Sequence, residues 1–231
     1  MTEDPQKVLN TVTRLRNGAR SARPRRSIPL LILALTIGFS LPLYKMGNPD
    51  PAQSGQMQPL SWDEGGFAGI FTNFEKPELL TAYWLLALPV AYLLIAAYVL
   101  IAGYSTGVRG SIIRSVATGI VVYGAACLVI FGVHWFRWLI PDQADQRGMV
   151  PVLIIAIGLL GWSLAQRDSL LIVIAIVNFA ASILAGFYDL ANLLKGTYLT
   201  SSQALYPNIL LPTVVLLVSA FMCALSEQRR R

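Results

Sequence analysis

An all-α, polytopic membrane bundle of six transmembrane helices is the fold class this sequence predicts. Three observations predict it. Of 231 residues, 55% are hydrophobic and only 13% charged, against about a quarter charged in an ordinary water-soluble domain. Charge-free runs of about 16 to 25 residues recur down the chain, near the length that crosses about 30 Å of hydrocarbon. The basic residues, finally, gather at alternate ends of those runs. The length leaves room for one membrane domain, residues 28–226, between a basic N-terminal segment (1–27) and a basic tail (227–231).

The N-terminal segment opens with a short amphipathic helix over residues 4–17. Asp4 is placed to cap it, Pro5 suits its first position, and Asn17-Gly18 is a stop. Val8, Val12 and Leu15 form an apolar stripe, with Lys7, Arg14 and Arg16 on or beside the polar face. Arg14, Arg16, Arg20, Arg23, Arg25 and Arg26 therefore predict contact with an anionic inner leaflet, each nearby base contributing about 1 kcal/mol. The alternative is a solvated tail. No recognition fold accompanies these bases, so the net charge of +6 does not point to nucleic acid. A cleaved signal is disfavoured, because the basic leader is long and no small-residue cleavage site follows Leu43.

The first span is read at 29–44 and runs outward, since a guanidinium cluster resists translocation. The loop 45–78 follows, opening on the extended stretch Asn48-Pro-Asp-Pro. Inside it Ser61-Trp-Asp-Glu64 matches a capping box, and Phe67, Ile70, Phe71 and Phe74 share one helical face. That predicts a short outer interfacial helix, resting on lipid or lying over the bundle as a lid. Span two, 79–103, carries Pro89 near its middle, which removes a ladder donor and predicts a kink. Span three, 112–135, has Ser111, Ser115 and Gly119 four apart, a face that admits close helix approach.

Spans four (150–165) and five (169–188) are joined by the tight turn Arg167-Asp168 and predict an antiparallel hairpin. The first of them is short for a bilayer and needs Trp162 and Gln166 at its inner edge. Tyr188, Tyr198 and Tyr206 are interface anchors around the next outer loop. Span six, 208–225, returns to Arg229-Arg230-Arg231. With this assignment 13 of the 18 Lys/Arg but only four of the 12 Asp/Glu lie on the inner side. That asymmetry follows the positive-inside rule, and it predicts a multi-pass plasma-membrane protein with both termini cytoplasmic.

Several chemistries lack their residues. There is no phosphate-binding G-x-x-x-x-G-K-[ST] loop, no H-E-x-x-H and no G-x-S-x-G elbow. One histidine cannot build an ordinary zinc site. Cys127 and Cys223 both fall in apolar spans, where they are expected as small hydrophobes rather than a disulfide. No metal and no cofactor is expected. Ionisable residues avoid the span centres, which argues against an ion-coupled pump.

Asn178 is the polar exception, at the middle of span five. Ser182 and Gly186 follow on the same face, so the stripe is expected to face the bundle. Its amide then makes an interhelical hydrogen bond or contacts a substrate in a central cavity. A second candidate group lies at the outer edge: His134, Arg137, Asp142, Asp145 and Asp189. These are belt and surface residues, or a polar mouth made pH-sensitive by His134.

The stretches TAYWLLALPVAYLLIAAYVL from Thr81 and GFYDLANLL from Gly186 resemble small six-span membrane proteins of actinobacteria. The resemblance implies the topology and a bacterial plasma membrane; that family brings no mechanism. Three functional expectations stand together. One is a non-catalytic, permease-like transport subunit that borrows a separate ATPase, although the inner loops 104–111 and 166–168 are short for gripping one. Another is an accessory or sensor protein that binds a regulatory partner. The third and weakest is a lipid-modifying enzyme using the outer carboxylates and His134.

Overall fold

The computed structural model describes residues 25–45, 74–106, 148–188 and 205–229, together with Gln6, Leu9, Ala117, Leu190 and Gln203. Five helices have their bounds there: α1 (Ser27–Ser40), α2 (Pro77–Thr106), α3 (Val150–Gln166), α4 (Ser169–Phe187) and α5 (Tyr206–Gln228). Three of them, α2, α4 and α5, are long and apolar enough to cross a membrane. The shorter apolar helices are α3 and α1, the latter extended to Leu43 by a 3-10 turn.

Proline places most of the starts. Pro77 opens α2, Pro151 lies in the first turn of α3, and Pro207 in that of α5. There the missing N–H would be unpaired anyway and the fixed φ suits a helix. Pro42 acts in the opposite sense at the end of α1. It cannot donate to the turn before it, and the chain tightens into the 3-10 turn Leu41–Leu43. The first apolar run is therefore an α-helix that stops at Ser40, short of the predicted end at residue 44. Elsewhere α2 outruns the prediction by a turn or less at each end and α5 by two or three residues, from Tyr206 to Gln228, whereas α3 and α4 match theirs to within one residue. Pro89 lies within α2 and Pro212 within α5 without interrupting either helix.

The helices stack in the order α2, α1, α5, α4, α3. Hydrogen bonds show which ends meet. Ser27 reaches Glu227, Arg26 reaches Asp168, and the Arg25 amide reaches Tyr98. The start of α1, the far part of α2, the α3–α4 turn and the end of α5 thus share one end of the bundle. Tyr44 meets Trp84 and Gly148 at the opposite end. Consequently α2 runs towards the Arg26 end, and α3 starts from the Tyr44 end.

The core lies along α1, α3, α4 and α5, with Leu30, Ile37, Val152, Leu171, Ile209 and Leu216 all fully or almost fully buried. On α2 the buried residues Leu80, Trp84, Leu88, Ala91 and Val99 make a narrow stripe. Leu86, Leu93 and Ile101, by contrast, are exposed apolar side chains. An outward apolar face is the ordinary surface of a helix whose solvent is lipid.

Beyond Gln6 and Leu9, both helical, the predicted helix 4–17 lies outside the described residues. So do span three apart from Ala117, and the predicted interfacial helix up to Asn73. Phe74, grouped with that helix by its spacing, is in an extended bridge. The Glu75 amide donates to the Lys45 carbonyl at 2.9 Å, which closes the base of the 45–78 loop.

Two glycines sit at close approaches. Gly148 has φ +62, and a Cβ there would lie 3.2 Å from Phe74. Gly148→Ala is expected to cost about 1–2 kcal/mol from the left-handed backbone alone, with the Phe74 contact added. Gly38 has helical φ, and its Cβ would meet only the Thr213 methyl at 3.4 Å. Gly38→Ala is expected to be nearly neutral, so the two melting temperatures in detergent should separate clearly.

Candidate functional site

At the Arg26 end a charged cluster is assembled from three distant segments. Asp168 caps α4, its Oδ1 accepting from the Leu170 and Leu171 amides at 3.2 and 3.4 Å. Its other oxygen pairs with the Arg26 guanidinium, the two side chains being 14% and 22% exposed. Glu227 on α5 accepts from the Arg26 amide (2.7 Å) and the Ser27 hydroxyl (2.9 Å). The glutamate thus caps the open start of α1, where negative charge is favoured by the helix dipole. Arg167 takes a left-handed conformation to close the turn. Buried Cys223 lies one turn before Glu227 on α5 and forms no disulfide among the described residues.

At the Tyr44 end the hydrogen-bonded cluster is built from uncharged groups. The Tyr44 hydroxyl donates to the Gly148 carbonyl at 2.6 Å and accepts from Trp84 Nε1 at 3.1 Å. Phe74 packs edge-on against the Tyr44 ring, centroids 5.6 Å apart. Tyr83, beside Trp84, donates to the Thr36 carbonyl and ties α2 to α1. Asn208 at the start of α5 accepts from the Leu190 amide at 3.1 Å.

Between the two ends the polar groups close on their own helices. Ser163, Ser182 and Thr213 each donate to the carbonyl three or four residues back. A hydroxyl can satisfy itself in that way. A carboxamide has a donor group and an acceptor side by side and does not. Asn178 lies nine residues from either end of α4, on the buried face with Leu171, Ile174, Ala175, Ala181, Ser182, Ala185 and Gly186. It is completely buried. Neither its Oδ1 nor its Nδ2 has a hydrogen-bond partner among the described residues. Leaving such a group unpaired costs about 1–3 kcal/mol.

The predicted candidates therefore separate. Asn178, Ser182 and Gly186 share the buried face of α4, and Ser182 donates to the Asn178 carbonyl at 2.8 Å rather than to its amide. Of the basic cluster, Arg26 pairs with Asp168. Arg25 is exposed, with its amide on the Tyr98 hydroxyl at 2.7 Å. Arg14, Arg16, Arg20 and Arg23 lie outside the described residues, as do His134, Arg137, Asp142, Asp145 and Asp189. Among the described residues no group of three His, Cys, Asp or Glu could hold a metal ion.

Sequence reasoning missed the clusters at both ends. Tyr44, Trp84 and Gly148 are far apart in the chain, and Glu227 meets Ser27 across a separation of 200 residues. The available signal was Glu227 itself, an acid placed just before three arginines at the end of an apolar helix. Searches against protein-family models, curated proteins and solved structures give no match.

Proposed function

We propose that this chain is a six-span, non-catalytic subunit of a membrane transport system, permease-like in build. The observation that carries the reading is the distribution of polarity in the described helices. Every described charged residue sits at a helix end or beyond it, while one neutral, unpartnered amide lies at mid-depth. A bundle built only for anchoring has no need of a buried amide in its middle, because apolar packing there is cheaper. The six-span reading adds a crossing within residues 107–147, which lie outside the described residues apart from Ala117; what supports it is that α2 ends at the Arg26 end and α3 begins at the Tyr44 end. In this reading the Arg26 end faces the cytoplasm of a bacterial plasma membrane, which the excess of Lys/Arg that the sequence assigns to that side supports. The basic N-terminal segment then rests on anionic lipid.

A reporter fused after Arg231 should be active only in the cytoplasm, and one inserted at residue 55 only outside. Mild detergent extraction should recover a separate ATPase with the chain. Recovery of a regulatory protein and no ATPase would replace transport by an accessory or sensor role. A lipid-modifying enzyme is third in order; loss of a lipid product on His134→Ala, Asp142→Ala and Asp189→Ala would raise it.

A further inference from the structure

We propose that Asn178 is the hydrogen-bonding station for a small, neutral molecule that donates and accepts at adjacent atoms. This rests on the transport reading above and names the class of solute. Oδ1 needs a donor and Nδ2 an acceptor, and neither finds one among the described residues. The complementary chemistry is water itself or a small alcohol, amide or urea. Ions do not fit, because no charged residue among those described lies near the middle of α4 to balance one. The surrounding face suits a small guest. Ala175, Ala181 and Ala185 carry only a methyl, Gly186 no side chain, and the Ser182 hydroxyl is turned to the Asn178 carbonyl.

The amide is fully buried, so a guest reaches it when α3 or α5 moves against α4. Such a movement uncovers the small residues Ala175, Ala181 and Ala185 beside the amide. It also relieves an unpaired polar group, so the guest gains hydrogen bonds that the closed packing lacks.

The test uses the full chain in proteoliposomes, with light scattering after osmotic shock to read water, glycerol, urea and acetamide entry separately. Wild-type vesicles should admit at least one of these faster than protein-free vesicles. Asn178→Leu should slow that entry by about tenfold, the effect of losing one or two hydrogen bonds on the way through. The same substitution should leave the melting temperature in detergent unchanged or raised. Three results would each overturn the assignment. One is that no probe enters faster than in bare vesicles; another is that entry is unaffected by Asn178→Leu. The last is a fall in melting temperature of more than about 4 °C, a sign of a structural partner for the amide. Because recovery of an ATPase is read independently, the transport reading can survive any of these.

Discussion

Replacing Asp168 with alanine is expected to lower the stability of the bundle by about 4 kcal/mol, the largest effect of any single polar substitution at the Arg26 end. Two losses combine. The α4 cap disappears, at about 1 kcal/mol, exposing the Leu170 and Leu171 amides that Asp168 now satisfies. The Arg26 guanidinium, 22% exposed, is also left without its carboxylate. Breaking a buried pair from one side costs about 3–5 kcal/mol, and partial exposure puts this one at the lower end. Asp168→Asn keeps an oxygen for the cap and loses only the charge, so it should fall between wild type and alanine. Arg26→Ala should cost less than Asp168→Ala. Its backbone amide still reaches Glu227, and the Ser27 hydroxyl still does too. Thermal unfolding of the full chain in detergent checks the order, with about 2–4 °C per kcal/mol for a chain of this size. If Asp168→Ala melted with the wild type, the cluster would be a surface pair, which is worth little.

The two ends of the bundle illustrate how far the chain can be read without coordinates. The turn was legible from Arg167-Asp168 standing between two apolar runs, and the structure adds that Asp168 caps α4. That Arg26 and Glu227 close on the same point was not, because the partners come from segments 201 residues apart. Only the stacking of α1 on α5 brings them together. The length of α1 shows a similar limit. Hydropathy runs smoothly through Leu41 and Leu43, so an apolar window extends the helix to Tyr44. Pro42 ends it by removing one donor, a backbone effect that hydropathy does not register. Asn178 was conspicuous as a lone amide among apolar neighbours, and the four-residue spacing to Ser182 and Gly186 located its face. Its lack of a partner among the described residues depends on what α3 and α5 present opposite it, and no pattern within α4 carries that information. The proposed outer mouth at His134 to Asp145 rests on sequence alone.

Tyr44→Phe is expected to destabilise by about 2–6 kcal/mol, although it removes a single oxygen. That oxygen serves two buried groups at once, the Gly148 carbonyl and the Trp84 indole N–H. Each is left unpaired in a fully buried site, at about 1–3 kcal/mol apiece. The ring remains, so the edge contact with Phe74 at 5.6 Å and the apolar packing persist. The loss is therefore polar and not a cavity effect. Trp84→Phe tests this from the other side. It removes one donor while Tyr44 can still donate to Gly148, so its hydrogen-bonding loss should be about half as large, with the smaller ring adding a packing term. The double variant should then be less harmful than the sum of the two singles, because both remove the same bond. Gly148→Ala disturbs the same point through the backbone and should also be non-additive with Tyr44→Phe. Melting temperatures of the three single and two double variants in one detergent decide the matter. Strict additivity would mean that α1, α2 and the start of α3 are not joined through the Tyr44 hydroxyl.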